Sequence, residues 1–168
     1  MHYDCLYTMK KFVRTYVDPL GEKLKILEVG SKDVNRPEKN MRFRRYFDPK
    51  WEFIGLDIES GENVDIVSEH PYKYPFPDNH FDVVISGNTL EHVPDLQAIV
   101  NEIARVSNNL VCIIVPNYRE FHEDPIDCWR IMPDGMRFLM EGAGLKVLEC
   151  RRAGGKKLVD TIGIAKKI

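Results

Sequence analysis

Two residues at the ends of apolar runs carry the chemical signal of this chain. Gly30 follows Leu24-Lys25-Ile26-Leu27-Glu28-Val29 and opens a polar turn, Gly30-Ser31-Lys32-Asp33. Asp57 closes Phe53-Ile54-Gly55-Leu56-Asp57. A glycine directly after a buried strand lets backbone approach a ligand closely. A carboxylate at the tip of the next strand is placed to accept hydrogen bonds from ribose hydroxyls. Ser86-Gly87 ends a further apolar run, Phe81 to Ser86, and is expected at the same level. Each residue alone says little, and their convergence on strand ends is the functional argument.

Groups able to move protons lie further along. Asn117 to Met132 holds Tyr118, Arg119, Glu120, His122, Glu123, Asp124, Asp127, Trp129 and Arg130. An imidazole titrates near neutral pH, so His122 is the first candidate for a general base and His92 the second. The competing reading of His122 is a surface histidine in an acidic loop. For His92, beside Leu90 and Val93, a packed structural role is preferred. Glu91 reads as a charge at a helix entrance. His122, Glu123, Asp124 and Asp127 carry donor atoms for a divalent metal. They share one loop, with no ligand supplied by a strand end, so a solvated acidic loop and no metal are expected. Tyr118 and Trp129 either stack on an aromatic or sugar acceptor or cover the core.

Alternating strands and helices are needed to position these groups. Cys5, Leu6, Met9, Phe12, Val13, Tyr16 and Val17 repeat at helical spacing, with Asp4 as a cap and Asp18-Pro19 as a stop. The basic segment Asn35 to Phe47 is expected to hold a helix packed in part through Met41, Phe43 and Phe47, its charges on a solvated face. Val64 to Val67 reads as a short third strand. Pro71, Pro75 and Pro77 forbid regular structure between Glu69 and Asn79, and the aromatics there demand burial, so an ordered loop is expected. Asp95 caps a helix whose Leu96, Ile99, Val100, Ile103 and Val106 share a face. Leu110 to Val115 is a fifth strand. Pro133 begins another helix, with Met136, Leu139 and Met140 inward and Gly142 to Gly144 at its end. Lys146 to Cys150 and Val159 to Ala165 are two last strands, and their short link predicts antiparallel pairing. The pattern predicts an α/β fold in one domain over residues 1–168. It is a Rossmann-like doubly wound sheet, mostly parallel with an antiparallel C-terminal hairpin strand, and helices on both faces.

Composition narrows the function classes. With 43% hydrophobic and 30% charged residues the chain is globular rather than disordered. A formal net charge of -2 lacks the basic excess of a protein that works through phosphate contacts, so nucleic acid is not an expected partner. Cys5, Cys112, Cys128 and Cys150 are too widely spaced for a zinc site and read as reduced thiols. No apolar run reaches membrane-spanning length and no signal-peptide pattern opens the chain, so a cytoplasmic protein is expected. Gly30 stands without the other glycines of a dinucleotide fingerprint, and no glycine-lysine-serine/threonine follows a strand.

Four stretches, ILEVGSKDVN, FIGLDIE, YPFPDNHFDVVISGNTLEHVPD and FHEDPIDCWRIMPDGMRFLMEGAGL, resemble the class I S-adenosylmethionine-dependent methyltransferases. The resemblance runs from Ile26 to at least Leu145. Its third stretch, where an aromatic-proline loop leads into FDVV and then LEHV, is quite specific. The fourth is similar to bacterial and archaeal small-molecule methyltransferases. The resemblance implies S-adenosyl-L-methionine as cofactor and a small-molecule acceptor, with oxygen or nitrogen ahead of carbon. It would set Glu28, Gly30 and Ser31 along the methionine part, Asp57 on the ribose diol and Ile58 beside the adenine. Glu69 or His70 would lie near the adenine amino group, and Ser86, Gly87 and Asn88 near the sulfonium. One departure stands out: the family's glycine-x-glycine-x-glycine turn here has Lys32 and Val34 at its later glycine positions. Lys32 either pairs with the cofactor carboxylate or points to solvent, the second being preferred. The same departure lends support to one alternative, a non-catalytic cofactor-binding protein of this fold; the other alternative is an interaction module that keeps the fold without the ligand.

Overall fold

Short apolar runs buried on both sides build the sheet, and residue alternation along them assigns each side chain to a face. The computed structural model describes residues 3–34, 42–123, 125–154 and 159–168. Its strands are β1 (Lys25–Val29), β2 (Glu52–Asp57), β3 (Ile66–Val67), β4 (Phe81–Gly87), β5 (Ser107–Pro116), β6 (Leu145–Ala153) and β7 (Asp160–Lys167). They form one sheet in the order β3-β2-β1-β4-β5-β7-β6. The first five are parallel, and β7 runs antiparallel to both β5 and β6. This is the doubly wound sheet with a closing hairpin that the alternation predicted.

Ile26, Val83, Ile85, Cys112 and Ile114 face one layer, where helix α1 (Tyr3–Phe12) packs with Leu6, Met9 and Phe12. Leu27, Val84, Val111 and Ile113 face the other, under α2 (Leu96–Val106) and α3 (Pro133–Gly142). The Asp95 side chain accepts the Ala98 N–H at 2.9 Å and starts α2 as expected. Gly163 lets α3 settle on β7, because a Cβ there would come within 2.5 Å of the Met136 side chain. No helix among the described residues is long and apolar enough to cross a membrane.

Differences from the sequence reading are local. The helix expected within Asn35 to Phe47 is, where described, a single 3-10 turn, Phe43–Tyr46. Residues 35–41, with Met41, lie outside the described residues, as does the Asp4 side chain. β3 is shorter than read, Ile66–Val67: the Val64 N–H turns back to the Gly61 carbonyl, and Asp65 leads into the strand with its N–H on the Gly55 carbonyl of β2. β5 starts at Ser107, earlier than its apolar run, because the chain leaves α2 at Val106 straight into pairing with β4. Leu139 is only half-buried, and Met136 and Met140 carry the α3 contact.

Candidate functional site

Strand register assembles the site. Val29 pairs with Leu56 on one side and Ser86 on the other, so the next residues, Gly30, Asp57 and Gly87, share one edge of the sheet. The winding direction reverses between β1 and β4, which is where an open α/β sheet leaves a crevice. A cleft of about 1090 Å³, counted out to its open side, lies there.

Gly30 has φ +72, and a Cβ on it would fall 2.0 Å from Thr89 Oγ1, so the position takes glycine for both conformation and space. The Gly30 and Ser31 N–H groups both donate to the Leu56 carbonyl, at 2.9 and 3.1 Å, which bends the turn over the tip of β2. Asp57 Oδ2 accepts the Lys32 N–H at 2.9 Å, and Oδ1 accepts those of Ile58 at 2.8 Å and Glu59 at 3.3 Å. A carboxylate offers about four lone-pair sites, so Asp57 is held in place with capacity left for a hydroxyl donor.

Glu28 forms part of the cleft lining and is 1% exposed. Asn63, in the left-handed region at φ +70, donates to Glu28 Oε2 at 2.9 Å and to the Ser31 carbonyl at 2.9 Å. Burial pushes the Glu28 carboxyl up to about 8, against the pull of the Asn63 hydrogen bond and the Arg44 charge. Ser31 Oγ is buried without a hydrogen-bond partner. At the rim, the Lys32 ammonium pairs with Glu59, and Arg42 reaches Asp33 at 3.1 Å and Glu62. Leu56, Ile58, Pro71, Tyr74, Val93 and Ile99 supply apolar wall.

Of the residues singled out from sequence, Glu28, Gly30, Ser31, Lys32, Asp57, Ile58, Gly87, Asn88 and His92 line this cleft. The Lys32 ammonium extends along the rim, where it donates to Glu59. Glu69 and His70 do not line it; both are exposed, and their neighbours Ser68 and Pro71 stand at the wall. The turn explains this, since Ser68 Oγ donates to the His70 carbonyl and His70 Nδ1 accepts the Tyr72 N–H. Ser86 is fully buried below the edge, its hydroxyl donating to the Val29 carbonyl at 2.9 Å, where it ties β4 to β1. Tyr118 is 76% exposed and away from the cleft. Trp129 is likewise outside it, its indole N–H donating to the Val93 carbonyl at 2.8 Å.

The sequence reading gave no role to Asn63, Thr89 or Arg130 and took Glu91 for a charge at a helix entrance. The 3-10 turn Leu90–His92 follows β4, and burial of Leu90 rotates Glu91 inward. Glu91 is 0% exposed, and neither carboxylate oxygen has a hydrogen-bond partner. Burial pushes its carboxyl up to about 7. Its own backbone amide, His122 and Asn88 pull the other way without reaching good hydrogen-bond geometry. The Glu91 carbonyl accepts the Cys128 N–H at 2.7 Å and that of Trp129 at 3.3 Å, which docks the irregular segment after β5. Arg130 organises that segment. It grips both oxygens of Asp127 at 2.5 and 2.7 Å, and donates to the Arg119 and Glu120 carbonyls at 3.1 and 2.9 Å. Asp127 is therefore a buried partner of Arg130, held well below the usual carboxylate range, rather than a solvated loop acid. It also accepts the His122 N–H at 2.8 Å, which sets the His122 ring against His92 with centroids 5.1 Å apart. Glu123 is exposed, and Asp124 lies outside the described residues.

Comparison with known proteins agrees with this geometry. Solved S-adenosylmethionine-dependent methyltransferases share the fold. One from Aquifex aeolicus superposes with a TM-score of 0.65 over 99% of this chain and 100% of that one, at 16% identity. A Burkholderia thailandensis 1,6-didemethyltoxoflavin-N1-methyltransferase, solved with its acceptor and S-adenosylhomocysteine, gives 0.71 over 97% and 78%, at 12% identity. The chain thus has the fold of these methyltransferases, as the alternation of its strands and helices predicted. Residues 42–110 match the family model described as a methyltransferase domain. Over 58 residues it is 36% identical to a demethylmenaquinone methyltransferase of Bacillus licheniformis, covering 33% of this chain and 25% of that protein. The chain thus spans about a quarter of the length of that curated relative.

Proposed function

We propose that this cleft binds S-adenosyl-L-methionine and that the chain transfers its methyl group to a small-molecule acceptor at oxygen or nitrogen. The observation that carries the reading is Asp57. Its carboxylate is fixed by three backbone N–H groups at the tip of β2, beside a left-handed Gly30, at the point where the sheet reverses its winding. The residues present suit the cofactor. Asp57 takes the ribose diol, Ile58 lies against the adenine, and Gly30 with Ser31, whose buried hydroxyl lacks a partner, borders the methionine part. Gly87 and Asn88 flank the position of the sulfonium.

The bound cofactor supplies an electrophilic methyl carbon on a charged sulfur. The chain's own task is to hold an acceptor in line with it, an arrangement worth up to ~7–11 kcal/mol of barrier in favourable cases. Water is kept off by the apolar wall of Leu56, Val93 and Ile99. An acceptor hydroxyl also has to lose its proton, and the groups placed for that are the Glu91, His92 and His122 cluster. Free thiols at Cys5, Cys112, Cys128 and Cys150 accord with work in a reducing, cytoplasmic compartment.

Calorimetry with S-adenosylmethionine and S-adenosylhomocysteine tests the reading. Both bind, and Asp57→Ala weakens each by roughly 10- to 100-fold, the value of a hydrogen bond to a charged group. Absence of heat with either ligand would leave only an interaction module of this fold, and an unchanged affinity in Asp57→Ala would remove the ribose role of Asp57.

A further inference from the structure

We propose that Glu91, His92 and His122 form a binding site for a divalent first-row transition metal beside the cleft, which His92 also lines. One donor atom from each of the three residues lies within 4.8 Å of the other two. Proximity alone would not make a site. The independent sign is Glu91, a carboxylate that is 0% exposed, has no hydrogen-bond partner on either oxygen, and faces the two imidazoles. A cation between the three donor atoms satisfies that carboxylate.

The histidines are prepared as ligands. His92 Nδ1 is bonded to the Ile126 carbonyl, which leaves Nε2 as the lone-pair nitrogen, 3.7 Å from Glu91 Oε1. His122 Nδ1 approaches the Glu120 carbonyl at 3.2 Å, and its Nε2 is left in the same way. Metal-binding histidines characteristically donate the other ring N–H to a carbonyl or carboxylate, which fixes the tautomer. Two imidazoles and one carboxylate favour Zn²⁺, Mn²⁺ or Fe²⁺ over the all-oxygen shells of Mg²⁺ and Ca²⁺. Bonds of about 2.0–2.2 Å require the donors to close in. His122 can supply that movement, since its side chain is 45% exposed on an irregular segment, whereas Glu91 and His92 are fixed by the turn.

The role assigned to the metal rests on the methyl-transfer reading. Of the three ligands His92 also lines the cleft, so the site adjoins the space left for an acceptor. There the metal binds a hydroxyl oxygen of the acceptor and makes it more acidic, and the proton leaves to solvent. The oxygen's electron pair then forms the bond to the methyl carbon. The carbon–sulfur bond breaks, and its pair returns to sulfur, leaving a neutral thioether. The acceptor class is accordingly a hydroxylated small molecule.

The test uses the full chain, free of any histidine tag and dialysed against EDTA. Titration with ZnCl₂ is expected to show one equivalent bound, and Co²⁺ to give visible d–d absorption from a nitrogen- and oxygen-ligated ion. Glu91→Gln and His122→Ala are each expected to weaken Zn²⁺ by roughly 100-fold or more. If Glu91→Gln fails to fold, His122→Ala still decides, because that side chain is outside the core. Catechol, added as a model hydroxyl ligand, is expected to shift the Co²⁺ band. No Zn²⁺ binding, or binding indifferent to His122→Ala, overturns the site. A Co²⁺ band unmoved by catechol overturns its role toward the acceptor. S-adenosylmethionine calorimetry on the same preparation separates failure of the metal site from failure of the cofactor reading.

Discussion

Glu28 is a carboxyl that the fold holds in its neutral form near pH 7. Its carboxyl titrates at about 8 against an ordinary 4.5, first because it is buried. Between those values the folded chain holds a proton that the unfolded chain has released. Stability therefore falls as pH rises from about 4.5, and the decline is complete above about 8. Glu28→Gln keeps the hydrogen-bonding shape and removes the titration. We expect urea unfolding at pH 6 and pH 9 to show a drop in the parent chain larger than in Glu28→Gln by a few kcal/mol, on the order of the shift itself. Parallel behaviour of the two proteins would show that Glu28 is already ionised in the fold.

The segment between β3 and β4 shows how an element without regular hydrogen bonds is held. Its prolines remove donors, and side chains take over, above all Arg105 on α2. Arg105 donates to Glu102 at 2.8 and 2.7 Å, to the Phe76 carbonyl at 2.9 Å, to Asp78 at 2.7 Å and to the Tyr74 carbonyl at 3.3 Å. Glu102 in turn accepts the Tyr74 N–H at 2.5 Å. Burial raises the Glu102 carboxyl, but the Arg105 hydrogen bonds and the Tyr74 N–H outweigh it and hold the group below its ordinary range. That contribution to stability is present above the unfolded value and is lost as pH falls through the lowered one. Arg105→Met is expected to cost about 2–4 kcal/mol in urea unfolding at pH 7. It should also weaken S-adenosylmethionine binding, because Pro71 and Tyr74 belong to the cleft wall. A stable variant with parental affinity would show that the aromatics alone order this loop.

Across the whole molecule, the cleft exists only when three strand tips and two loops are brought into register. A ligand that needs all of them binds the folded state alone, and so reports on the complete sheet. At S-adenosylmethionine concentrations near 100 times the dissociation constant, the gain is about 2.7 kcal/mol. In a domain of this size that corresponds to a rise in Tm of roughly 5–10 °C by calorimetry. Asp57→Ala should lose much of the rise, read against its own ligand-free Tm, which falls because three backbone N–H groups lose their acceptor. A Tm that ignores the ligand would argue that the cleft is shaped for something else.

Much of this was legible in the residue order. Apolar runs of strand length, the Asp95 cap and the antiparallel link of the last two strands follow from local chemistry, so sheet class and both helical layers could be read directly. Gly30, Asp57 and Gly87 were legible too, because strand ends are local features and a shared register carries them to one edge. Side-chain direction was not. Whether Glu69 and His70 or Ser68 and Pro71 meet the cleft depends on the hydrogen bonds of one turn. Asp127 looked like a solvated acid until Arg130, three residues on, was seen closing over it. Glu91 looked like a helix-entry charge, and its burial follows from the way Leu90 packs and the 126–129 backbone docks above it. Periodicity assigns a residue to a face, but partners distant in the chain set where its polar atoms end up, and tertiary packing alone brought Glu91, His92 and His122 together.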